Sequence, residues 1–424
     1  MLKNGVFEIN DAHAVMTALA RQTTGQSDIS VVDHTSFIDA GTTTLATGKE
    51  NVLGAIAKTI AYLTVTARPY KGKFSLINAS DREWNMRKGK ISFYAKDPTV
   101  SGAFNVTDGT TATKNIGTGL NDDSGAGSMW EQNLPRVLEN FFLSEAAWDR
   151  FYTTPLKQLQ NAFNDEGQFI SFMNGYMVEV QNDIETETEA RNRAIIADRI
   201  AGTYSVGPDS SKVNLTALTN EKLGTSYTSK QLLTSHRKEL AEVMAAYIKI
   251  HSDRMTERTV NYHDPKTITE TTGSSPSEVT TTYSILRHTP KEKQRLMLFS
   301  ELLTEAKALV MPEIFNPEYL TVEQYEGVTY WQSPNDRMKI SCKPALPDGA
   351  TSTDVTIDNV VGILFDADAI ETNRYFEGAY ATPINARHMY YNTFYHYLFG
   401  AINDYTENAI IFYLEDPAGT SKGG

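Results

Sequence analysis

Apolar side chains recur at intervals of three and four between residues 164 and 202. Phe169, Phe172, Met173, Tyr176, Met177, Val180 and Ile184, then Ile195, Ile196 and Ile200, fall on one face, which predicts a single long amphipathic helix. Asn164 or Asp165 can cap its start and Gly202 can close its end. At 1.5 Å rise per residue, about 38 residues span on the order of 55 Å, enough to cross a whole body. A second helical pattern runs from Ser229 to Met255, with Leu232, Leu233, Leu240, Val243, Met244, Tyr247 and Ile248 along its face.

Elsewhere the period shortens. "KFSLINAS" and "GKISFYAKD" alternate apolar and polar positions on either side of Arg87-Lys88-Gly89-Lys90 and read as two strands joined by a turn. Residues 99–128 are nearly pure Gly, Thr, Ser, Asn and Asp, so residues 66 to about 135 read as one excursion that leaves the body and returns. The threonine-rich runs around Gly273-Ser-Ser-Pro276 have the signature of a hairpin. "RLMLFSELLTEAKALVMP" reads as a strand passing into a helix, and "NVVGILFDADAI" as a buried strand with an acidic turn. "INARHMYYNTFYHYLFG" and "ENAIIFYLED" read as two strands linked by "AINDYT". The first 65 residues read as an arm with little core of its own: a helix over "DAHAVMTALAR", a strand and turn over "DISVVDHTSFIDA", a loop over "GTTTLATG" and a short helix over Glu50–Ala61.

Composition narrows the classes. The 424 residues are 40% hydrophobic and 21% charged, which excludes wholesale disorder and leaves room for one large domain or two to three ordinary ones. The start of the chain lacks a signal-peptide apolar stretch and no apolar run is long enough to span a bilayer, so a soluble protein is expected. A single cysteine, Cys342, excludes an internal disulfide and a thiolate-rich metal site. The net charge of −13 has the wrong sign for coating nucleic acid over a broad surface.

No residue pattern specifies catalysis. The eight histidines show no metal spacing, and His388 and His396, at even separation among aromatics, read as structural occupants of one strand face. Asp366 and Asp368 read as a turn or helix cap rather than a metal pair. Gly117-Thr-Gly119 and Gly125-Ala-Gly127 lack the lysine and the strand-to-helix context of a phosphate loop, and there is no nucleophile elbow. No catalytic, cofactor or metal residue is therefore assigned. The basic cluster Arg87, Lys88 and Lys90 beside Trp84 reads first as a protein contact.

The order of parts is informative: an arm, a β excursion, a long helix, a mixed α/β middle and closing aromatic strands. It resembles the major capsid protein of tailed bacteriophages, the Hong Kong ninety-seven or Johnson fold. The segment from "MWEQNLPRVLENFF" through "RNRAIIADRIAG" resembles the re-entry of the extended loop into the spine helix. "NVVGILFDADAI" through "ENAIIFYLED" resembles the closing segment, and "HTPKEKQRLMLFSELLTE" a stretch of the middle domain. The pattern is nearest to short-tailed phages with small genomes. The stretch 99–128 and the threonine hairpin 267–285 depart from it.

The resemblance implies an α+β fold with an N-terminal arm (1–65), an extended β-hairpin loop (66–140), a peripheral domain holding the spine helix and closing strands (141–203 and 376–424) and a mixed α/β axial domain (204–375). The implied function is non-enzymatic: a viral structural protein that self-assembles into hexamers and pentamers of an icosahedral or prolate shell around a double-stranded DNA genome. Each extended loop would lie over a neighbour. Implied partners are further copies of the chain, a portal at one vertex and a scaffolding protein, the latter because the chain enters its arm soon after Met1. A decoration protein is left open. DNA would be enclosed without sequence-specific binding, inside a negatively charged lining that it does not adhere to. No membrane is involved, and the protein would reside in the virion after assembly in the host bacterial cytoplasm. Trp84, Arg87, Lys88 and Lys90 in the loop, with Phe7 and Phe37 in the arm, are the expected contact residues. An encapsulin-like compartment shell and a hydrolase with a spatially assembled site are the alternatives.

Overall fold

Two helices open the chain in this computed structural model, which describes residues 9–24, 29–47, 72–78, 87–96, 136–143, 146–157, 166–272, 279–309, 324–346 and 352–416. They are α1 (Ile9–Thr24) and α2 (His34–Thr47). The strand and loop expected over α2 are replaced by this helix. Asp33 caps it, its Oδ1 accepting the Ser36 amide at 2.8 Å, and Phe37, Ala40 and Thr44 bury one face at helical spacing. Those two local terms outweigh the β preference of its threonine run. The arm thus has a small core of Met16, Leu19, Ala20, Val31 and Phe37. The helix expected over 50–61, the stretch 99–128, the caps at 164–165 and the turn at 273–276 lie outside the described residues.

"KFSLINAS" is not the strand expected. Phe74 adopts a left-handed conformation (φ 67°) and starts a 3-10 turn over Ser75–Ile77. Its buried ring meets Trp331 edge-on at 6.3 Å, and that tertiary contact sets the local backbone. The strand β1 (Arg87–Phe93) continues into β2 (Ala95–Lys96), but β1 pairs with the distant β3 (Val137–Leu143). Two residues later β4 (Ala146–Pro155) begins.

The long helix α3 (Glu166–Val206) has 41 residues, about 60 Å at 1.5 Å per residue. It runs past Gly202, because that glycine serves packing and not termination: a Cβ there would lie 1.8 Å from the Tyr405 hydroxyl. Val180 and Ile184 pack with Ala379, Tyr395 and Tyr397, while Ile196, Ala197, Ile200 and Ala201 join a second core. One helix therefore spans two sheets.

Beyond α3 come β5 (Lys212–Asn214), α4 (Leu215–Leu223), α5 (Ser229–Thr234) and α6 (Arg237–Arg254). The single helix expected over 229–255 breaks at Ser235-His236. His236 leaves helical geometry (φ −121°, ψ 36°) and stacks on Tyr227 at 3.9 Å. The threonine hairpin forms as β6 (Ile268–Thr272) and β7 (Val279–Ser284), with β2 pairing on β7. The expected strand-to-helix passage is β8 (Gln294–Phe299) and α7 (Ser300–Leu309). Then follow β9 (Gln324–Val328), β10 (Ile340–Cys342), β11 (Val355–Ile357), the fully buried β12 (Val360–Asp366), β13 (Ile370–Ala381), β14 (Tyr390–Asn403) and β15 (Ala409–Tyr413).

A five-stranded mixed sheet, in the order β5-β15-β12-β8-β9, forms the centre. Leu296, Leu298, Leu364, Ile410 and Phe412 face a core completed by α4, α6 and α7. Met297, Ile363, Phe365, Ala409 and Ile411 face the opposite core, with α3, Phe74 and Trp331. A second antiparallel sheet, β13-β14-β4, lays Tyr395 and Tyr397 on α3. The two closing strands thus belong to different sheets. His388 lies exposed in the turn before β14, so it does not share a strand face with His396 as expected.

Candidate assembly interface

The β1–β3 ribbon is read from its register. Gly89 faces Phe141, Ile91 faces Glu139 and Phe93 faces Val137, antiparallel. Alternation sends these odd-numbered residues to one side and Lys90 and Ser92 to the other. The outward side is largely apolar, interrupted by the exposed Glu139: Ile91, Phe93, Val137 and Phe141 are 59%, 61%, 46% and 56% exposed. Gly89 leaves room for the Phe141 ring, whose nearest atom would sit 3.2 Å from a Cβ at that position. A two-stranded ribbon is marginal in water by itself, and an exposed apolar strip of this kind marks an interaction surface.

The inward side, which carries Lys90 and Ser92 with Leu138, Asn140 and Phe142 opposite, is anchored through its polar groups. Lys90 Nζ lies 2.8 Å from Asp404 Oδ2 and 2.6 Å from Glu407 Oε1. The buried Ser92 hydroxyl accepts from Arg287 Nη2 at 2.6 Å, and Arg287 Nε is 3.1 Å from Glu407 Oε1. At the ribbon's root the Tyr94 amide donates to the Arg136 carbonyl at 3.1 Å, and the Arg136 guanidinium lies over the Tyr283 ring at 4.7 Å.

These groups converge on the buried turn 404–408 between β14 and β15. The fully buried Arg199 of α3 donates to the Glu407 carbonyl at 2.8 Å and to Asn403 Oδ1 at 3.3 Å, with its guanidinium 4.6 Å from the Tyr405 ring centre. His263 Nδ1 meets Asn408 Oδ1 at 3.0 Å, and Asn408 donates to Thr289 Oγ1 at 3.1 Å. Burial favours the neutral form of each group, and the outcomes differ. It raises Glu407 against the pull of Lys90 and Arg287. For Asp404 burial also pushes upward, but Lys90 and the hydrogen bonds from Thr406 prevail and hold it below the usual carboxylate range. Burial pushes the Tyr405 phenol up to about 12 and lowers Arg199.

A second exposed strip crosses the outer face of β13-β14-β4. Phe151 lies 5.6 Å from Phe394, and Tyr380 lies 5.6 Å from His396, with Phe151 and Tyr380 largely exposed.

The expected contact residues fall in different places. Lys90 is engaged inside its own chain. Phe37 is fully buried, 6.2 Å from His13 of α1. Arg87 and Lys88 lie on β1 and their side chains are outside the described residues, as are Trp84 and Phe7 altogether. Sequence reasoning missed the apolar face, although the alternation in "KISF" and "VLENFFL" carried its signal. It also missed Asp404, Glu407 and Arg287, for which no local signal exists.

Asp366 accepts from Thr289 Oγ1 at 2.7 Å and from the Asp368 amide at 2.9 Å, the role of a turn residue; Asp368 pairs with Lys293 at 2.7 Å. Among the described residues no group of three or more His, Cys, Asp or Glu is placed to hold a metal ion, and no helix is long and apolar enough to cross a membrane.

Comparison with known proteins gives this geometry a family. The capsid structure of Staphylococcus phage Andhra aligns with TM-score 0.51 at 10% identity, covering 81% of this chain and 84% of that one. A chain of the structure described as "head fiber and inner core protein gp22 of native bacteriophage P68" aligns with TM-score 0.48 at 11% identity, over 81% and 85%. No curated protein matches the sequence. The family model "Phi29-like phage major capsid protein" matches residues 105–413. The α+β fold is that of phage capsid proteins, and the role is structural, not enzymatic; neither the compartment shell nor the hydrolase is favoured. With most of its length matched, the chain belongs to the Phi29-like phage major capsid protein family, a virion protein that works by associating with further copies of itself.

Proposed function

We propose that the β1–β3 ribbon is the principal lattice contact, and that its apolar face docks on a neighbouring copy in hexamers and pentamers of an icosahedral or prolate shell around double-stranded DNA. The observation that carries this reading is the line of Ile91, Phe93, Val137 and Phe141 on one face of a two-stranded ribbon. At roughly 100 Å² of exposed apolar area each, covering all four contributes a gross ~10 kcal/mol before the costs of association. Repeated around a closed shell, such contacts sum without any one being tight.

In the same reading the arm is 1–65, the extended loop 66–140, the peripheral domain 141–203 with 376–424, and the axial domain 204–375. β15, within the proposed peripheral segment, hydrogen-bonds between β5 and β12 of the central sheet, so the two proposed domains share that sheet. Trp84, Arg87 and Lys88 flank or begin the ribbon and would add to the contact, as would Phe7 from the arm. A scaffolding protein, a portal at one vertex and assembly in the host cytoplasm complete the proposal. The net charge of −13 suits a container whose wall does not hold its genome; a uniformly basic inner wall would end that part.

The test is Ile91→Ser with Phe93→Ser in the full chain. The variant is expected to keep the wild-type circular dichroism and unfolding midpoint but to give no sedimenting particles under conditions where wild type forms shells. Wild-type particle yield would overturn the reading.

A further inference from the structure

The basic run Arg87-Lys88-Gly89-Lys90 suggests a set of equivalent outward charges, and the structure separates Lys90 from that picture. Its Nζ is held by Asp404 Oδ2 at 2.8 Å, Glu407 Oε1 at 2.6 Å and the Asp368 carbonyl oxygen at 3.4 Å. Asp404 and Glu407 are only 2% and 6% exposed. Two residues on, Ser92 enters the same cluster through Arg287. Two consecutive inward positions of β1 are therefore fixed to the body, while the two outward ones between and after them, Ile91 and Phe93, are presented to solvent.

We propose that Lys90 is a positioning residue for assembly: it latches the inner face of the ribbon to the buried turn 404–408 and thereby sets the direction in which the apolar face meets the next copy. The physical basis is leverage. The ribbon is two strands wide and has no third strand among the described residues, so beyond its root, where β2 pairs with β7, its angle depends on what grips its inner face. That grip is charged and mostly desolvated, where a hydrogen bond to an ionised group is strongest. The turn it holds is itself clasped by Arg199 from α3 and by Arg287, so the ribbon is referenced to the spine helix through shared partners. Lysine suits the place because its single ammonium can address two carboxylates and a carbonyl from one strand position. Removing it leaves Glu407 still paired to Arg287 but leaves buried Asp404 with only its Thr406 hydrogen bonds, so a loosened ribbon is distinguished from a weakened turn by the control peptide.

The assembly arm of the test rests on the ribbon-docking reading, whereas the exchange arm does not. Hydrogen exchange is followed by mass spectrometry on unassembled full-length chain, comparing peptides covering 87–93 and 137–143 with the internal control 360–366. Lys90→Met is expected to speed ribbon exchange about tenfold or more, the size expected for losing a charged hydrogen bond, with the control within about twofold. Particle yield should fall in parallel, and Lys90→Arg should restore much of both. Ser92→Ala, which leaves every charge in place, should also speed ribbon exchange selectively; it decides the matter if Lys90→Met does not fold. Ribbon exchange unchanged in the variants, or a rise shared equally by the control peptide, would overturn the latch. A loosened ribbon with wild-type particle yield would overturn the positioning role. Failure of docking is read separately, from the Ile91 and Phe93 variant.

Discussion

Replacing Gly202 by alanine should destabilise the protein, although helix propensity alone says the opposite. Alanine in a helix interior is favoured over glycine by ~1 kcal/mol. Here a Cβ would lie 1.8 Å from the Tyr405 hydroxyl oxygen, 2.6 Å from Cζ and 2.8 Å from Cε1. Tyr405 would have to retreat by roughly 1.5 Å to reach van der Waals separation. It is buried, its ring lies 4.6 Å from the Arg199 guanidinium and its hydroxyl donates to the Asp198 carbonyl at 3.4 Å, so retreat breaks the clasp between α3 and the turn. Overpacking at ~1–3 kcal/mol and a desolvated cation–π contact at ~2 kcal/mol, less the propensity gain, leave a net loss of about 2–4 kcal/mol. Urea unfolding of unassembled full-length chain measures it as a lower midpoint at unchanged slope. Tyr405→Leu in the same background should recover part of the loss, giving a coupling above about 1 kcal/mol in the double-mutant cycle. A Gly202→Ala chain as stable as wild type would refute the reasoning.

Three further outcomes follow from buried groups. His251 is held down to about 4 by burial and by Arg254; its contribution is whole above pH 6.5 and is lost as pH falls toward 4, up to about 3 kcal/mol. His251→Gln should flatten that part of the pH profile of the urea midpoint, and an unchanged profile would contradict it. Burial, with Asp198 nearby, pushes the half-buried Cys342 thiol up to about 11; iodoacetamide should label native protein about a hundredfold more slowly than urea-unfolded chain at pH 8, and equal rates would count against the geometry. Arg199→Met leaves Asp404 and Glu407 buried with one fewer cation and should cost about 3–5 kcal/mol in the same unfolding assay. A loss under about 1 kcal/mol would show the clasp to be incidental.

Much of the frame was legible because local pattern and tertiary demand agree there. The intervals of α3 mark a helix because Val180 and Ile184 are buried against one sheet and Ile196, Ala197, Ile200 and Ala201 against another, and the continuous apolar run of β12 marks a strand because cores lie on both sides. The passage from β8 into α7 and the threonine hairpin were equally plain. Legibility failed where distant partners decide. "KFSLINAS" alternates like a strand, yet burial of Phe74 against Trp331 turns the chain there. α2 hid its helical face behind Val31, Val32 and a threonine run. The partner of β1 lies across a long stretch of sequence with no pairing signal, and Lys90 finds its carboxylates more than three hundred residues away, in a turn that reads as an ordinary linker. The contact residues expected in the loop were Trp84 and the charges Arg87, Lys88 and Lys90, whereas the geometry offers an apolar face on the same strand, Ile91 and Phe93.

The claim that the ribbon is completed by a different copy is tested most directly by cross-linking particles assembled from equal parts of isotopically heavy and light chain. Links from peptides 87–93 and 137–143 should join heavy to light chains as well as like to like, and should land on a single surface of the neighbour. Ribbon links found only within one isotope, in particles proven to be mixed, would mean that each copy covers its own ribbon, and assembly through ribbon docking would be contradicted.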